Sequence, residues 1–208
     1  MRRVLCYGDS NTWGYDPVTK ERFDPDIRWT AVLSGVLGSE YTIIEEGLNG
    51  RTTVWDDPIE GYKNGPDYLI PCLETHRPLD LVNIILGTND LKKLFGLSAS
   101  DIAEGAGLLV RVVQGSMAGV NGNAPRVLLI APAPVARLTD LAEMFEGAES
   151  KSRRFAEHYG RVAEAAGCDF LDASTTIVSS SLDGIHLEAS EHCKLGRAVA
   201  AKVNQLIG

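Results

Sequence analysis

The sequence has no long run of apolar residues. After Arg2-Arg3 only about four apolar residues precede the polar segment at Gly8, too few for the hydrophobic part of a secretory signal. No later stretch approaches the length needed to span a bilayer. We therefore expect a cytoplasmic protein that has no membrane partner.

Basic residues are in the minority. The chain has 20 Lys and Arg against 28 Asp and Glu, and its formal net charge is -8 at pH 7. Proteins that bind nucleic acid neutralise its phosphates with a basic surface, and this composition does not favour one. We expect no nucleic-acid partner.

Cysteine and histidine are scarce as well, with four of each. The cysteines, at positions 6, 72, 168 and 193, form no CxxC pair, and none has a histidine at a zinc-finger spacing. This distribution disfavours a disulfide framework and a structural zinc site. We expect no metal and no cofactor.

What remains is an ordinary globular composition. The 208 residues are 44% hydrophobic and 23% charged, and no linker or low-complexity run divides them. A chain of this length can bury a sufficient core in one unit. We expect one domain over residues 1–208.

Short apolar runs alternate with segments of helical spacing. The runs are rich in branched residues and end at Gly, Asn, Asp or Pro, which is typical of buried strands. They cover residues 3–7, 41–44, 79–86, 126–131 and 168–171, and the helical segments cover 29–37, 66–75, 100–117, 150–166 and 188–206. This alternation predicts a three-layer α/β/α sandwich around a five-stranded parallel sheet.

Polar motifs follow four of the predicted strands. Ser10 comes after the first strand, Asn49-Gly50 after the second, Gly87-Thr88-Asn89-Asp90 after the third, and Asp183 and His186 after the fifth. Ligands of open parallel sheets bind at the carboxyl ends of the strands. We therefore expect these motifs to meet in one site.

Three of these residues have the chemistry of a nucleophilic triad. A serine hydroxyl attacks well at neutral pH only if an imidazole takes its proton, and a carboxylate holds that imidazole in place. Taken alone, Ser10 would be a helix cap and Asp183 part of a turn. Their joint occurrence at strand ends favours Ser10 as nucleophile, His186 as base and Asp183 as its orienting partner. Asp9 and Asn11 are expected only to brace the turn.

The same loops offer donors for an oxyanion. These are the backbone N–H groups of Ser10 and Gly50 and the side-chain amide of Asn89. For the substrate pocket, the aromatic and basic residues near the nucleophile are the candidates: Trp13, Arg51 and Trp55. His76, His158 and His192 lie on predicted helices without an Asp at the same offset and are expected to be solvated.

A long segment over residues 133–149 carries Leu138, Leu141, Met144 and Phe145 at near-helical spacing. It could pack onto the body of the protein, or it could serve as a lid or subunit interface. The apolar stripe makes a homo-oligomer plausible.

Four motifs in order resemble the sequence blocks of SGNH hydrolases of the GDSL esterase type. They are Gly8-Asp9-Ser10, the glycine-bearing loop around Gly50, Gly87-Thr88-Asn89-Asp90, and Asp183-Gly184-Ile185-His186. Further stretches, among them Arg28-Trp29-Thr30 and Arg51-Thr52-Thr53, are similar to bacterial arylesterases, a group that includes an acyltransferase-active member. One position departs from the family name, because Asn11 stands where GDSL has leucine; we expect this change to bear on local packing.

The resemblance implies a flavodoxin-like sandwich and hydrolysis of short acyl esters through an acyl-enzyme. It implies Ser10, Asp183 and His186 as the triad and Ser10, Gly50 and Asn89 as the oxyanion donors. Acyl transfer to alcohols or to hydrogen peroxide is an expected side activity. No G-x-S-x-G occurs, so the nucleophile elbow of α/β-hydrolases is absent.

Three alternatives stay open from the sequence. A carbohydrate acetylesterase of the same fold would share every catalytic residue. A metal-dependent phosphoesterase could use Asp9, Asn89, Asp90 and His186 as hard ligands. A non-enzymatic flavin carrier could bind phosphate in the loop after the first strand, although this leaves Asp183 and His186 unexplained.

Overall fold

A five-stranded, fully parallel sheet forms the centre of the computed structural model, which describes all 208 residues. The strands follow the order β2-β1-β3-β4-β5, and each neighbouring pair is parallel. Their bounds are Arg2–Gly8 (β1), Tyr41–Gly47 (β2), Leu81–Ile85 (β3), Arg126–Ala131 (β4) and Asp169–Asp172 (β5). The predicted sheet is confirmed; β4 has the predicted bounds, and no strand end differs from its predicted position by more than three residues.

Seven α-helices connect and cover the strands. They are Ser10–Trp13 (α1), Trp29–Leu37 (α2), Gly65–His76 (α3), Ala99–Gln114 (α4), Ala148–Ser152 (α5), Phe155–Ala166 (α6) and Ala189–Ile207 (α7). The single helix predicted over 150–166 is wrong, because the chain interrupts it at Arg153-Arg154. None of the helices combines the length and the apolar character that crossing a membrane requires.

The sheet is buried on both faces. On one face Leu5 and Tyr7 belong to a cluster of 29 buried apolar residues shared with α3, α4 and α6. On the other face Val4 and Cys6 belong to a cluster of 18 shared with α2 and α7. Alternate residues of one strand therefore enter opposite cores, which explains why its sequence is continuously apolar.

The register of the central strands aligns their carboxyl ends. Gly8 at the end of β1 pairs with Gly47 on one side and with Ile85 on the other. The loops that carry the polar motifs consequently leave the sheet at one level. This alignment brings residues from distant parts of the sequence to one edge.

The segment over residues 133–149 packs onto the core. Phe145 is buried, and Leu138 and Leu141 pack against the larger cluster, whereas Met144 is about half exposed at 47%. The near-helical spacing does not produce a helix before α5, and the segment forms turns instead. Leu141, Met144 and Phe145 of this segment also line a cavity together with Ser10 and His186.

Candidate active site

The turn after β1 presents Ser10 at the first position of a one-turn helix. The Asp9 carboxylate accepts a hydrogen bond from the Asn11 N–H at 3.0 Å and so caps α1. Gly14, with φ of 91°, ends the helix in the left-handed region that glycine adopts readily. The strand and the two caps together fix the backbone on both sides of the Ser10 hydroxyl.

Asp183, His186 and Ser10 form a continuous hydrogen-bonded chain. His186 Nε2 lies 3.0 Å from Ser10 Oγ, and His186 Nδ1 lies 2.6 Å from Asp183 Oδ2. Serine and histidine are 176 positions apart in the sequence, so the fold alone creates this contact. The arrangement allows the imidazole to take the serine proton while the carboxylate stabilises the resulting charge.

The carboxylate of Asp183 is held in its ionised form. Burial raises the pKa of Asp183, but hydrogen bonds from the His186 ring and from the Ile185 and His186 N–H groups outweigh it and lower the pKa below its ordinary value. The His186 ring also packs on Tyr15, with the ring centroids 4.1 Å apart. Tyr15 thus restricts the movement of the imidazole ring.

Two backbone N–H groups at the site have no partner and are candidate oxyanion donors. Those of Ser10 and Gly50 make no hydrogen bond within the protein. The Asn89 amide donates one hydrogen bond to the Arg51 carbonyl at 3.0 Å, which leaves its second hydrogen available. All three residues line the same cavity as His186. Gly50 has φ of 80°, a left-handed backbone conformation that residues with a Cβ rarely adopt, so the position favours glycine.

The cavity has a volume of about 260 Å³ and two unlike walls. Leu141, Met144 and Phe145 of the 133–149 segment form the apolar wall, and Glu60 and Lys92 form the charged wall. Tyr15, Asn49 and Ile185 complete the lining.

The charged wall is a buried cation between two carboxylates. Lys92 Nζ lies 2.9 Å from Asp57 Oδ2 and 2.6 Å from Glu60 Oε1, and the Lys92 and Asp57 side chains are only 4% and 1% exposed. Burial lowers the pKa of Lys92, but the hydrogen bonds to the two carboxylates outweigh it and raise the pKa. The Glu60 side chain is 40% exposed and keeps contact with solvent in the cavity.

The three predicted pocket residues do not line this cavity. Arg51 lies beneath the site: its guanidinium stacks on the Tyr7 ring at 4.0 Å and donates to the carbonyls of Gly8 and Glu46. Trp13 packs against the guanidinium of Arg22, and Trp55 is absent from the lining. Arg51 is drawn inward because the ends of β1 and β2 leave carbonyl oxygens that a cation can satisfy.

Sequence reasoning missed the residues that line the cavity in place of these three. Glu60 and Lys92 come from irregular loops, and no periodicity indicates their direction. Tyr15 follows the nucleophile motif by five positions and its N–H bonds the Ser10 carbonyl at 3.0 Å; this proximity was the only available signal.

The prediction that His158 and His192 are solvated is wrong. His158 and His192 are buried, not solvated. His192 Nδ1 accepts a hydrogen bond from the Trp29 N–H at 3.2 Å, and burial lowers the pKa of His192 to about 4. His192 therefore acts as a neutral core residue that joins α7 to α2.

The side chains that could hold a metal ion differ from those of the phosphoesterase alternative. The one group within ligand reach comprises Glu46, Cys72 and His76. His76 Nε2 lies 3.0 Å from Glu46 Oε1, and burial raises the pKa of the Cys72 thiol to about 12. The hydrogen bond between His76 and Glu46 joins α3 to the end of β2.

A family model described as the GDSL-like lipase/acylhydrolase family matches residues 6–192. Because the match covers most of the chain, the protein belongs to this family, and it is a carboxylic ester hydrolase that acts on small ester molecules. No curated protein sequence matches the chain.

Solved structures agree with this assignment over the full length. The native aryl esterase of M. smegmatis is 44% identical, with a TM-score of 0.96 and complete coverage of both chains. A carbohydrate acetylesterase from Sinorhizobium meliloti is 42% identical, again with a TM-score of 0.96 and complete coverage of both chains. The fold expected from the sequence is therefore confirmed.

Proposed function

We propose that the protein hydrolyses short-chain acyl esters through an acyl-enzyme on Ser10. The observation that carries this proposal is the hydrogen-bonded chain from Asp183 through His186 to Ser10, placed beside two unpaired backbone N–H groups. In this mechanism the Ser10 oxygen attacks the ester carbonyl while His186 accepts its proton.

The tetrahedral intermediate places its negative charge toward the N–H groups of Ser10 and Gly50 and the amide of Asn89. His186 then gives the proton to the leaving alcohol as the C–O bond breaks, and the acyl group stays on Ser10. A water molecule, activated by His186 in the same way, releases the acid and restores the serine.

The cavity supports a small substrate. A volume of about 260 Å³ lies at or below the small end of the range for ligand pockets, so we propose acetyl and other short acyl groups. The apolar wall formed by Leu141, Met144 and Phe145 suits an aryl or alkyl leaving group. The preference for such a leaving group agrees with the similarity of the chain to an aryl esterase, but it is argued from the residues that line this cavity.

The decisive test is hydrolysis of 4-nitrophenyl acetate by the wild type and by Ser10→Ala, with and without a chelator. We expect Ser10→Ala to abolish turnover and the chelator to have no effect. Activity that survives in Ser10→Ala but is lost with the chelator would overturn the serine mechanism and favour the metal-dependent phosphoesterase. A yellow, flavin-containing preparation without esterase activity would favour the carrier.

Acyl transfer is a further part of the proposal. Since the apolar wall reduces the space for water beside the acyl-enzyme, an alcohol or hydrogen peroxide can compete as acceptor. Product analysis in water that contains a primary alcohol tests this; formation of free acid alone would contradict it.

A second candidate is a carbohydrate acetylesterase, and the charged wall favours it. The half-exposed Glu60 carboxylate offers hydrogen-bond acceptors to sugar hydroxyls at the opening of the cavity. The Sinorhizobium meliloti structure supports it as a likeness. Here the same triad would act on an acetylated sugar.

Glu60→Gln distinguishes the two candidates when kcat/KM is measured on 4-nitrophenyl acetate and on an acetylated sugar. If the sugar is the substrate class, we expect roughly a tenfold loss on the sugar ester, from one hydrogen bond to a charged group, and little change on the aryl ester. Equal effects on both esters would leave the aryl ester as the favoured class.

The cytoplasmic location, the homo-oligomer and the single domain stay predictions.

A further inference from the structure

The residue after the candidate nucleophile contacts the loop that carries the candidate base. Asn11 Oδ1 accepts a hydrogen bond from the Leu187 N–H at 3.1 Å, and Asn11 Nδ2 donates to the Ile185 carbonyl at 3.4 Å. Asn11 therefore binds the main chain on both sides of His186. The expectation that it only braces its own turn, or affects only local packing, was too narrow.

These two contacts complete the hydrogen bonding of the peptide groups that flank His186. In the preceding peptide group, the His186 N–H donates a hydrogen bond to the Asp183 carboxylate at 3.0 Å, and the Ile185 carbonyl accepts one from Asn11 Nδ2. In the following peptide group, the His186 carbonyl accepts a hydrogen bond from the Ser180 N–H at 2.8 Å, and the Leu187 N–H donates one to Asn11 Oδ1. No other side chain forms hydrogen bonds to both peptide groups.

Solvent cannot replace Asn11 there. Asn11 is 9% exposed, and its neighbours Ile185 and Leu187 are 4% and 2% exposed. A buried N–H or carbonyl without a partner is costly, so the loop holds its position only while the amide supplies both a donor and an acceptor.

We propose that Asn11 is a positioning residue that sets the distance between Ser10 Oγ and His186 Nε2. It directly follows Ser10 in α1, so a shift of the His186 loop relative to the nucleophile must break at least one of its two hydrogen bonds. The inference rests on the proposed function, because it assigns a role through the Ser10–His186 pair. Leucine stands at this position in the GDSL motif, so the proposal concerns the His186 loop of this chain, where the Asn11 amide makes both hydrogen bonds.

Asn11→Leu tests the proposal, since leucine has the same branching at Cγ and neither hydrogen-bonding group. We expect kcat on 4-nitrophenyl acetate to fall by roughly 10- to 100-fold with KM nearly unchanged, because small misplacements of catalytic groups cost about this much. The fall should persist at every pH, since the cause is distance and not protonation. Asn11→Asp, which keeps an acceptor for Leu187 but loses the donor to Ile185, should also lower kcat.

Thr12→Val is the matched control. Thr12 is the next residue of α1, is fully buried, and its hydroxyl has no hydrogen-bond partner, so we expect kcat and KM of the wild type. Thermal unfolding of each variant identifies a merely structural role, which would lower the unfolding temperature while kcat at 25 °C stays unchanged.

A folded Asn11→Leu with kcat within twofold of the wild type would overturn the inference. If Asn11→Leu does not fold, Asn11→Asp decides, and its retention of full kcat would overturn the inference equally. Loss of activity in Ser10→Ala together with an active Asn11→Leu would refute only the role of Asn11. Full activity in Ser10→Ala would refute the proposed function itself.

Discussion

Two aspartates beside the candidate site, Asp183 and Asp90, have opposite electrostatic environments. Asp183 bonds an imidazole and two N–H groups, and these hydrogen bonds lower its pKa despite partial burial. Asp90 is fully buried and bonds only Thr53, through its N–H at 3.0 Å and its hydroxyl. Burial raises the pKa of Asp90 to about 7, because it outweighs the hydrogen bonds from Thr53, which lower the pKa; the nearby Asp9 adds only a smaller rise.

The protonation state of each carboxyl depends on its burial and on the hydrogen-bond donors around it. Asp183 faces a group that can become a cation, so it is suited to stabilise the charge that forms on His186. Asp90 accepts hydrogen bonds only from neutral donors, the N–H and hydroxyl of Thr53. These bonds connect the loop after β3 to the loop after β2. That second loop carries Gly50, so Asp90 helps to hold a candidate oxyanion donor in place.

The largest difference between the two aspartates should appear in turnover. We expect Asp183→Asn to lower kcat by roughly four orders of magnitude, because the amide favours the wrong tautomer of His186. Hydrolysis of 4-nitrophenyl acetate measures it, with Asp90→Asn as the control that should stay within tenfold of the wild type. A loss of less than tenfold in Asp183→Asn would contradict the assigned role.

A smaller effect is expected on stability. At pH 5, Asp90→Ala should lower the free energy of unfolding by roughly 1–3 kcal/mol, because the Thr53 N–H and hydroxyl lose their partner in a buried place. Urea denaturation measures this. Asp140→Ala is the comparison, since its side chain is 84% exposed and 3.8 Å from Lys20 and should change stability little. Equal values for both variants would refute the structural role of Asp90.

A third contrast between the two aspartates concerns pH. Because the pKa of Asp90 rises from 3.8 to about 7 on folding, the folded state keeps its proton longer, and its contribution to stability is full below about pH 4 and is lost as pH rises toward 7. Asp183 has the opposite sign: its lowered pKa contributes stability that is lost as pH falls below the ordinary value.

Urea unfolding of the wild type and Asp90→Asn at a series of pH values checks this contrast. The wild type should lose stability relative to Asp90→Asn between about pH 4 and 7, since the amide has no proton to release. A constant difference between the two proteins over that range would show that Asp90 keeps an ordinary pKa.

Much of the architecture was predictable from the sequence. The five apolar runs became the five strands because buried parallel strands need continuous apolar residues, which a sequence displays directly. The positions of Ser10, Gly50, Asn89, Asp183 and His186 at strand ends also followed, since strand order and direction bring those ends to one edge. The helix over 150–166 was predicted too long because periodicity does not register a break at Arg153-Arg154.

The walls of the cavity could not be predicted in the same way. Arg51 and Glu60 both come from the loop after β2, yet Arg51 turns inward to carbonyl oxygens and Glu60 turns toward the cavity. Both directions depend on which buried groups lack partners, and this depends on segments remote in sequence. Asn11 shows the same limit, because its partners lie more than 170 positions away.

The sequence by itself therefore determined the sheet, the family and the candidate residues for nucleophilic attack, proton transfer and oxyanion binding. These are properties of residue type and local spacing. Only the tertiary structure decided the 3.0 Å contact between Ser10 and His186, the two unlike walls, and the opposite pKa shifts of Asp183 and Asp90. Distance, burial and pKa arise from groups brought together by folding, and no local pattern records them.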